Sequence, residues 1–308
     1  MRKIALFSVF ILLGLIIGIV YYWPDGKLHI YFCDVGQGDA IYIRLPNSTD
    51  MLIDGGPDNS VLSCLSSHMP FFDRTIEIVV LTHPQKDHYQ GLIQVFNRYH
   101  VDNFVTVPVG NVGENYQQLV TVVKDKSVRV RYMTSGDRIK IGESDISVLW
   151  PQKQWLITDL QKENQQSVLQ DFKSAHELLS LKTDADLNQY CLYLHLKYKT
   201  FDVLFTGDGD QSVQKNLKSL NLFSTLPANV ELLKVPHHGS KTGIFDETII
   251  RLKPKVSVIE VGKNNYGHPS PETMKRLEKF GKVLTTQKFK TIEVKTDGKM
   301  YQVLTHIP

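Results

Sequence analysis

Residues 76–88 of the chain read Ile76-Glu-Ile-Val-Val-Leu81-Thr-His83-Pro-Gln-Lys-Asp87-His88. The first half of this stretch is a short apolar run rich in β-branched residues, which predicts a buried β-strand. Three side chains that can bind metal ions, His83, Asp87 and His88, follow soon after this strand. The stretch therefore predicts a polar site at the end of a buried strand.

Other short strands of the chain end in the same way. Residues 203–205 run into Asp208, and residues 232–236 run into His237 and His238. Because such strand ends can converge on one edge of a sheet, we expect their side chains to meet in one cleft. Imidazole nitrogens and carboxylate oxygens are ligands for Zn²⁺, Mn²⁺ or Fe, so the cleft suits a metal ion. The further candidates that follow predicted strands are Asp34, Asp54 and His268.

The pattern of apolar residues predicts an α/β domain with layered sheets and outer helices. With 308 residues and 42% hydrophobic content, the chain can bury a large core. Residues 151–189 are rich in polar residues and predict an exposed helical insertion or a connection between two halves, not a separate domain. The predicted strands are 28–33, 40–45, 51–53, 76–81, 104–107, 146–150, 191–196, 203–205, 231–235 and 256–261, and the predicted helices are 91–99, 116–125, 211–219, 245–252 and 271–280.

Composition argues against two classes of protein. The chain has three cysteines, Cys33, Cys64 and Cys191, without CxxC spacing, so we expect packed thiols and not a disulfide framework or a zinc ribbon. The formal charge of +3 falls to +1 when the basic pair Arg2 and Lys3 is set aside. Net charge therefore gives no sign of a nucleic-acid-binding surface.

The first residues predict a membrane anchor. Two basic residues precede residues 4–20, a run without charge that ends in the aromatic trio 21–23. As a helix, residues 4–23 would span ~30 Å, the thickness of the hydrocarbon core of a bilayer. The leading positive charges predict a cytoplasmic N-terminus, with the remaining chain outside the cell membrane. We expect a single-pass protein in which residues 1–26 form a cytoplasmic stub and transmembrane signal-anchor. The alternative is that a signal peptidase cleaves this segment and the protein is secreted.

Six motifs in this order resemble a known family. The segment His83-Pro-Gln-Lys-Asp87-His88 is accompanied by Asp34-Val-Gly-Gln-Gly-Asp39-Ala40, Leu52-Ile-Asp54-Gly-Gly56, Leu204-Phe-Thr-Gly-Asp208, Lys234-Val-Pro-His-His-Gly-Ser240 and Tyr266-Gly-His-Pro-Ser-Pro-Glu272. Together they resemble the metallo-β-lactamase superfamily, with its HxHxDH signature, and in particular the C-terminal hydrolase domain of the ComEC competence proteins. The resemblance covers residues 27–308. It implies an αββα sandwich, here preceded by one N-terminal transmembrane helix, with a metal cleft at the sheet edges.

The resemblance also implies roles for individual residues. Asp87, His88 and Asp208 would be catalytic, and Asp87 could act as the base that orients water in place of binding the metal. The implied metal ligands are His83 for a first ion, Asp87 and His88 for a second, Asp208 between them, and His237 or His238 as a further ligand.

Gln85 departs from the signature because it stands where the second histidine belongs. A neutral amide is a poor ligand for zinc, so we expect one ion or a weakened pair. Zn²⁺ is the expected ion, with Mn²⁺ or Fe as alternatives. Residues that could support the ligands or contact substrate are Asp39, Asp54, Gln85, Lys241 and His268.

The function implied by the resemblance is a metal-dependent hydrolase, a phosphodiesterase or nuclease related to DNA uptake. Its partners would be DNA or another phosphodiester, and the membrane through the N-terminal helix. Because Gln85 weakens the site, one alternative is a catalytically impaired metal-site protein that binds nucleic acid or another polymer. A further alternative is a hydrolase of a β-lactam, a lactone or a thioester, since this fold hosts many chemistries.

Overall fold

The computed structural model describes residues 24–162 and 186–305. These residues form two β-sheets. The strands of the first sheet are β1 (Leu28–Phe32), β2 (Ile41–Arg44), β3 (Asp50–Ile53), β4 (Thr75–Val80), β5 (His100–Thr106), β6 (Arg129–Tyr132), β14 (Ile292–Thr296) and β15 (Tyr301–Thr305). Their order across the sheet is β15-β14-β1-β2-β3-β4-β5-β6.

The strands of the second sheet are β7 (Arg138–Ile141), β8 (Ser144–Trp150), β9 (Tyr193–Tyr198), β10 (Phe201–Phe205), β11 (Leu232–Lys234), β12 (Val256–Ile259) and β13 (Lys282–Thr285). Their order is β13-β12-β11-β10-β9-β8-β7. In both sheets a run of antiparallel strands is followed by parallel ones, β3 to β6 in the first sheet and β10 to β13 in the second. The two sheets therefore share one arrangement.

Helices cover the outer faces of both sheets. On the first sheet lie α1 (Ser60–His68), the short α2 (Lys86–Tyr89), α3 (Leu92–Arg98) and α4 (Glu114–Asp125). On the second lie α6 (Gln211–Ser219), α7 (Asp246–Leu252) and α8 (Pro271–Leu277), while α5 (Lys153–Lys162) and α9 (Thr286–Phe289) occupy connections. In α4, the buried residues Tyr116, Leu119 and Val123 recur at helical spacing, which gives the helix one apolar face.

The alternation of side chains along each strand builds three apolar layers. In β10, Val203 and Phe205 pack between the sheets, whereas Leu204 faces the helices on the other side. In β3, Leu52 likewise faces the outer helices while its neighbours point inward. Successive residues of a strand point to opposite faces, so both faces of the central strands are apolar and covered. The predicted αββα sandwich is confirmed.

The predicted elements lie where the sequence placed them. Each of the ten predicted strands and five predicted helices coincides with an observed element. The sequence missed β6, β7, β13, β14 and β15 because these strands are short and alternate polar with apolar residues instead of forming apolar runs. In β6, for example, Arg129 and Arg131 are exposed and only Val130 is fully buried.

The polar segment predicted at 151–189 is described only at its two ends, since residues 163–185 lie outside the described residues. At the first end, Leu156 and Leu160 of α5 join the core between the sheets. At the second end, the hydroxyl of Tyr190 donates a hydrogen bond to Asp159 (2.7 Å). The two ends therefore pack against the domain and against each other.

The expectation of three packed thiols is wrong for Cys33 and Cys64, which form a disulfide with their Cα atoms 5.8 Å apart. The end of β1 and the middle of α1 pack in the same apolar layer, and this proximity could not be read from spacing. Cys191 is a buried free thiol, as predicted, and burial raises its pKa to about 12.

Within the described ranges, none of the helices combines the length and the apolar character that a bilayer crossing requires. The membrane anchor predicted at 4–23 lies outside the described residues.

We expect the Cys33–Cys64 bond to stabilise the fold. Its partners are 31 residues apart, so the Cys64→Ala variant should lose about 3–4 kcal/mol of unfolding free energy through the greater freedom of its unfolded chain. Urea unfolding of wild type and variant, with and without reductant, measures this loss. The Cys191→Ala variant is the control and should keep its sensitivity to reductant. A wild-type stability that reductant does not change would contradict the prediction.

Candidate metal centre

The candidate centre lies where strand ends from both sheets meet. Asp87 and His88 belong to α2, which follows β4 of the first sheet. Asp208 follows β10, and His238 follows β11, in the second sheet. Each donor sits just beyond the carboxyl end of a strand that has a parallel neighbour, as expected for a ligand site in an α/β fold.

The four side chains converge closely. The Nε2 atom of His238 lies 3.1 Å from Oδ2 of Asp208 and 3.3 Å from Oδ2 of Asp87. The Nε2 atom of His88 lies 3.4 Å from Oδ2 of Asp208 and 3.9 Å from Oδ2 of Asp87. One donor atom from each residue lies within 4.8 Å of all the others. The structure therefore brings together Asp87, His88, Asp208 and His238.

This donor set fits a divalent ion. Ligand atoms arranged tetrahedrally at ~2.0–2.1 Å from a metal lie about 3.3 Å apart, which is close to the spacings observed here. The Nε2 atom of His88 is buried and has no hydrogen-bond partner among the described residues. A metal ion would supply the partner that this nitrogen lacks.

Hydrogen bonds behind the cluster fix the orientation of His88. Its Nδ1–H donates to Oδ2 of Asp54 at 2.8 Å, which leaves the Nε2 lone pair for a metal. Asp54 is itself held because it accepts hydrogen bonds from the backbone and the hydroxyl of Thr82. Since that hydroxyl donates to Asp54, it accepts from Nδ1 of His83 at 3.1 Å. Asp54 therefore holds His88 from the side that faces away from the other three donors.

The adjacent histidines His237 and His238 point in different directions. Both have a left-handed backbone, with φ of 51° and 50°, and they occupy the turn after β11. The Nδ1–H of His238 donates to the backbone carbonyl of Glu260 (2.8 Å), so its Nε2 faces the cluster. His237 is half-buried, and its Nδ1 lies 3.9 Å from the carboxylate of Asp210. The structure thus places His238 in the cluster and His237 beside it.

A buried lysine lies beneath the cluster. The side chain of Lys234 is 0% exposed and its Nζ contacts Oδ2 of Asp39, lies 3.5 Å from Oδ1 of Asp208 and donates to the carbonyl of Gly207 at 2.7 Å. Asp208 therefore directs one oxygen to this ammonium group and the other to the histidines. No role was predicted for Lys234, although a charged residue in the apolar strand Leu232-Leu-Lys-Val-Pro236 was a usable signal.

Glu260 is a second buried ionisable group for which no role was predicted. Its carboxyl oxygen Oε1 accepts a hydrogen bond from the backbone N–H of Ala40 at 2.8 Å, next to Asp39. Burial, together with the negative charge of Asp39, raises the pKa of Glu260 well above its usual value. Glu260 thus links the loop before β2 to the loop after β12.

The electrostatics of the cluster follow from burial and the close charges. Burial opposes ionisation of Asp208, but His238, His88 and Lys234 together hold its pKa well below the usual value. Burial would lower the pKa of His88, yet the carboxylates of Asp208 and Asp54 raise it well above normal. The carboxylates therefore make this buried cluster strongly attractive to positive charge.

His83 and Gln85 stand at the positions that the resemblance assigned to a first metal, and neither is one of the four convergent donors. His83 is fully buried, and burial together with the charge of His88 lowers its pKa to about 3. Its ring packs edge-on against His88 with centroids 4.2 Å apart. In residues 24–162 and 186–305 it belongs to no group of three or more His, Cys, Asp or Glu donors. The role of His83 as a metal ligand stays a prediction.

The glycine-rich loop between β1 and β2 packs closely against the backbone of Asp87. Gly38 passes so close that a Cβ atom there would collide with the carbonyl oxygen of Asp87. The next residue, Asp39, donates its backbone N–H to the same oxygen at 3.2 Å. Gly38 therefore has a structural role, since a larger residue would push the loop away from Asp87.

Three residues of the cluster, Asp87, Asp208 and His238, line a groove of about 520 Å³, and His88 is buried behind them. Gln85 and His268, which were predicted to support the ligands or to contact substrate, line this groove. Lys241 does not; its ammonium group pairs with Glu272 (3.3 Å) at the exposed surface. The other lining residues are Gln37, Pro57, Lys86, Asp87, Asp208, His237, His238 and Tyr266.

Comparison with solved structures finds metallo-β-lactamase fold proteins. The chain resembles the metallo-β-lactamase fold protein YhfI from Bacillus subtilis with a TM-score of 0.49 and 12% identity, over 87% of this chain and 99% of that one. It resembles Zn²⁺-bound PqqB from Methylobacterium extorquens with a TM-score of 0.47 and 9% identity, over 86% of this chain and 99% of that one. No family model matches the sequence.

Curated relatives are proteins of much greater length. Over 287 residues, the chain is 25% identical to ComE operon protein 3 of Bacillus subtilis, covering 87% of this chain and 33% of that protein. Over 252 residues, it is 25% identical to Recombination protein 2 of Haemophilus influenzae, covering 80% of this chain and 26% of that protein. The chain thus spans about a third and a quarter of these relatives. The resemblance to ComEC-type proteins that the motifs predicted is confirmed.

Proposed function

We propose that this protein is a metal-dependent hydrolase that cleaves phosphodiester bonds in nucleic acid and acts in DNA uptake. The observation that carries the proposal is the set of four convergent donors, Asp87, His88, Asp208 and His238, three of which line an open groove. The similarity to ComE operon protein 3 and Recombination protein 2 supports the link to DNA.

We propose that the site binds one ion. Each carboxylate oxygen of Asp208 already has a neighbour within the site. Oδ2 faces the imidazoles of His88 and His238, and Oδ1 faces the ammonium group of Lys234. A carboxylate held in this way is poorly placed to bridge two metals. Gln85 offers a neutral amide where a second histidine would be needed. Two imidazoles and two carboxylates suit Zn²⁺, with Mn²⁺ or Fe as alternatives.

The ion and the residues around it would have different roles in hydrolysis. A divalent ion here supplies Lewis-acid chemistry, withdrawing charge from a phosphoryl oxygen and from a water molecule. Asp87 is the most exposed of the four donors, with 30% of its side chain accessible, so the carboxylate oxygen that does not bind the ion can accept the proton of the attacking water. Lys86 lines the same groove and can offset negative charge on the phosphate.

We propose that the domain works outside the cytoplasm, attached to the membrane by residues 4–23. The Cys33–Cys64 disulfide supports this location because disulfides persist mainly in oxidising compartments. The N-terminal segment supports it through its apolar length and leading basic residues.

Metal binding can be tested with neighbouring histidines as a matched pair. We expect one Zn²⁺ or Mn²⁺ per chain by elemental analysis after reconstitution, and a loss of at least about tenfold in affinity in the His238→Ala variant. The His237→Ala variant should bind the ion as wild type does. Two ions per chain, or loss of binding only in His237→Ala, would show that the donor set is wrong.

Hydrolysis can be tested on fluorescently labelled single-stranded and duplex oligonucleotides. We expect Asp208→Asn to lower kcat/KM by at least about 100-fold, because the variant loses a charged ligand worth several kcal/mol to the transition state. Lys241→Ala, which lies outside the groove, should cleave at the wild-type rate. Metal-loaded protein that binds strands without cleaving them would favour the binding-module alternative. If the protein hydrolyses only a β-lactam, a lactone or a thioester, the alternative hydrolase function is supported and the nuclease function is not.

Lys234 can be tested through stability. The Lys234→Met variant leaves two buried carboxylates without their cation, so we expect it to lose about 3–5 kcal/mol of unfolding free energy in urea. Lys241→Met, which removes only an exposed ion pair, should change stability little. If Lys234→Met is as stable as wild type, the ammonium group does not hold the site together.

A further inference from the structure

Tyr266 lies at the wall of the groove that contains the metal cluster. It is 77% exposed, more than any other large apolar side chain in the described ranges. An aromatic ring left in water at the edge of a binding groove is a surface that a planar ligand can cover.

The loop that carries Tyr266 is fixed by the side chain of Asn264. The amide oxygen of Asn264 accepts the backbone N–H groups of Tyr266 (3.0 Å) and His268 (3.1 Å). Its amide nitrogen donates to the carbonyls of Gly262 (2.9 Å) and His268 (2.7 Å). These four bonds hold the backbone under Tyr266, so little freedom of the loop would be lost when a ligand binds.

A row of rings leads from Tyr266 to the metal cluster. The ring centroid of Tyr266 lies 5.9 Å from that of His268, and His268 lies 5.6 Å from His237. The next step, from His237 to His238, is 6.3 Å. The phenol ring therefore stands at the outer end of a continuous aromatic wall whose inner end is a proposed metal ligand.

The groove offers few charges with which to hold a nucleic-acid strand. Lys86 is its single lysine or arginine among the described lining residues. With a domain close to neutral, phosphate contacts alone cannot supply strong binding. Stacking on an aromatic ring is the other general source of affinity for single strands, because every base offers a flat π-face. Paired bases inside a duplex do not expose that face.

We propose that Tyr266 stacks on an unpaired base of the strand whose phosphate lies at the metal cluster, so that the groove selects single-stranded over duplex nucleic acid. This inference rests on the proposed function, since it assigns the substrate class of that site. Tyr266 is a specificity-determining residue in this account, and the volume of about 520 Å³ accommodates a ligand of nucleotide size.

The test uses metal-loaded protein and short oligodeoxynucleotides that carry 2-aminopurine, or an abasic site at the same position. We expect Tyr266→Ala to weaken binding of the base-containing strand and raise its KM by about 5- to 150-fold, with little effect on kcat. Tyr266→Phe keeps the π-face and should stay close to wild type. Phe71→Ala removes an exposed ring that does not line the groove and is the matched control.

Two further readouts separate stacking from a general structural effect. Wild-type protein should quench 2-aminopurine fluorescence on binding and Tyr266→Ala should not, while the two should bind the abasic strand equally. The inference would be overturned if Tyr266→Ala lost the same affinity for base-containing and abasic strands, or if its KM were unchanged. It would also be overturned if wild-type protein bound duplex as tightly as single strands, or bound no strand at all. Base-dependent quenching without cleavage would support stacking and refute hydrolysis, so the two proposals fail separately.

Discussion

The ammonium group of Lys234 is the interaction on which the centre depends. It lies fully buried between the carboxylates of Asp39 and Asp208, in surroundings where an unpaired charge would cost several kcal/mol. Asp39 comes from the loop before β2 in the first sheet, and Asp208 from the loop after β10 in the second. The ammonium group therefore offsets the charge of one carboxylate from each loop and holds the two loops close together. The donors that face the groove are built on this pair.

A second layer of hydrogen bonds sets the direction of each imidazole. Asp54 holds Nδ1 of His88, and the carbonyl of Glu260 holds Nδ1 of His238. Both rings are thereby left with Nε2 toward the same point, before any ion is bound. This preorganisation reduces the cost of assembling the site, because the ring orientations are already determined by groups that do not touch the ion.

The sequence predicted most of the fold because its central strands are apolar runs that end abruptly in Asp or His. The strands 76–81 and 203–205 needed no knowledge of their partners to be recognised, and parallel packing brought their ends together. Two features could not be predicted from the same pattern. The choice between His237 and His238 depends on a left-handed turn at both residues, and the pairing of Cys33 with Cys64 depends on the packing of α1 against β1.

The four donors are divided equally between the two halves of the sandwich. Asp87 and His88 belong to the first sheet and Asp208 and His238 to the second, and Asp87 and His238 are 151 residues apart along the chain. An ion bound by all four acts as a cross-link between layers that also adhere through their apolar core and the Lys234–Asp39 ion pair. Its binding energy is then available only to a chain whose halves have docked, so metal concentration and resistance to unfolding are thermodynamically linked. Occupancy of the centre thus reports that both halves are assembled.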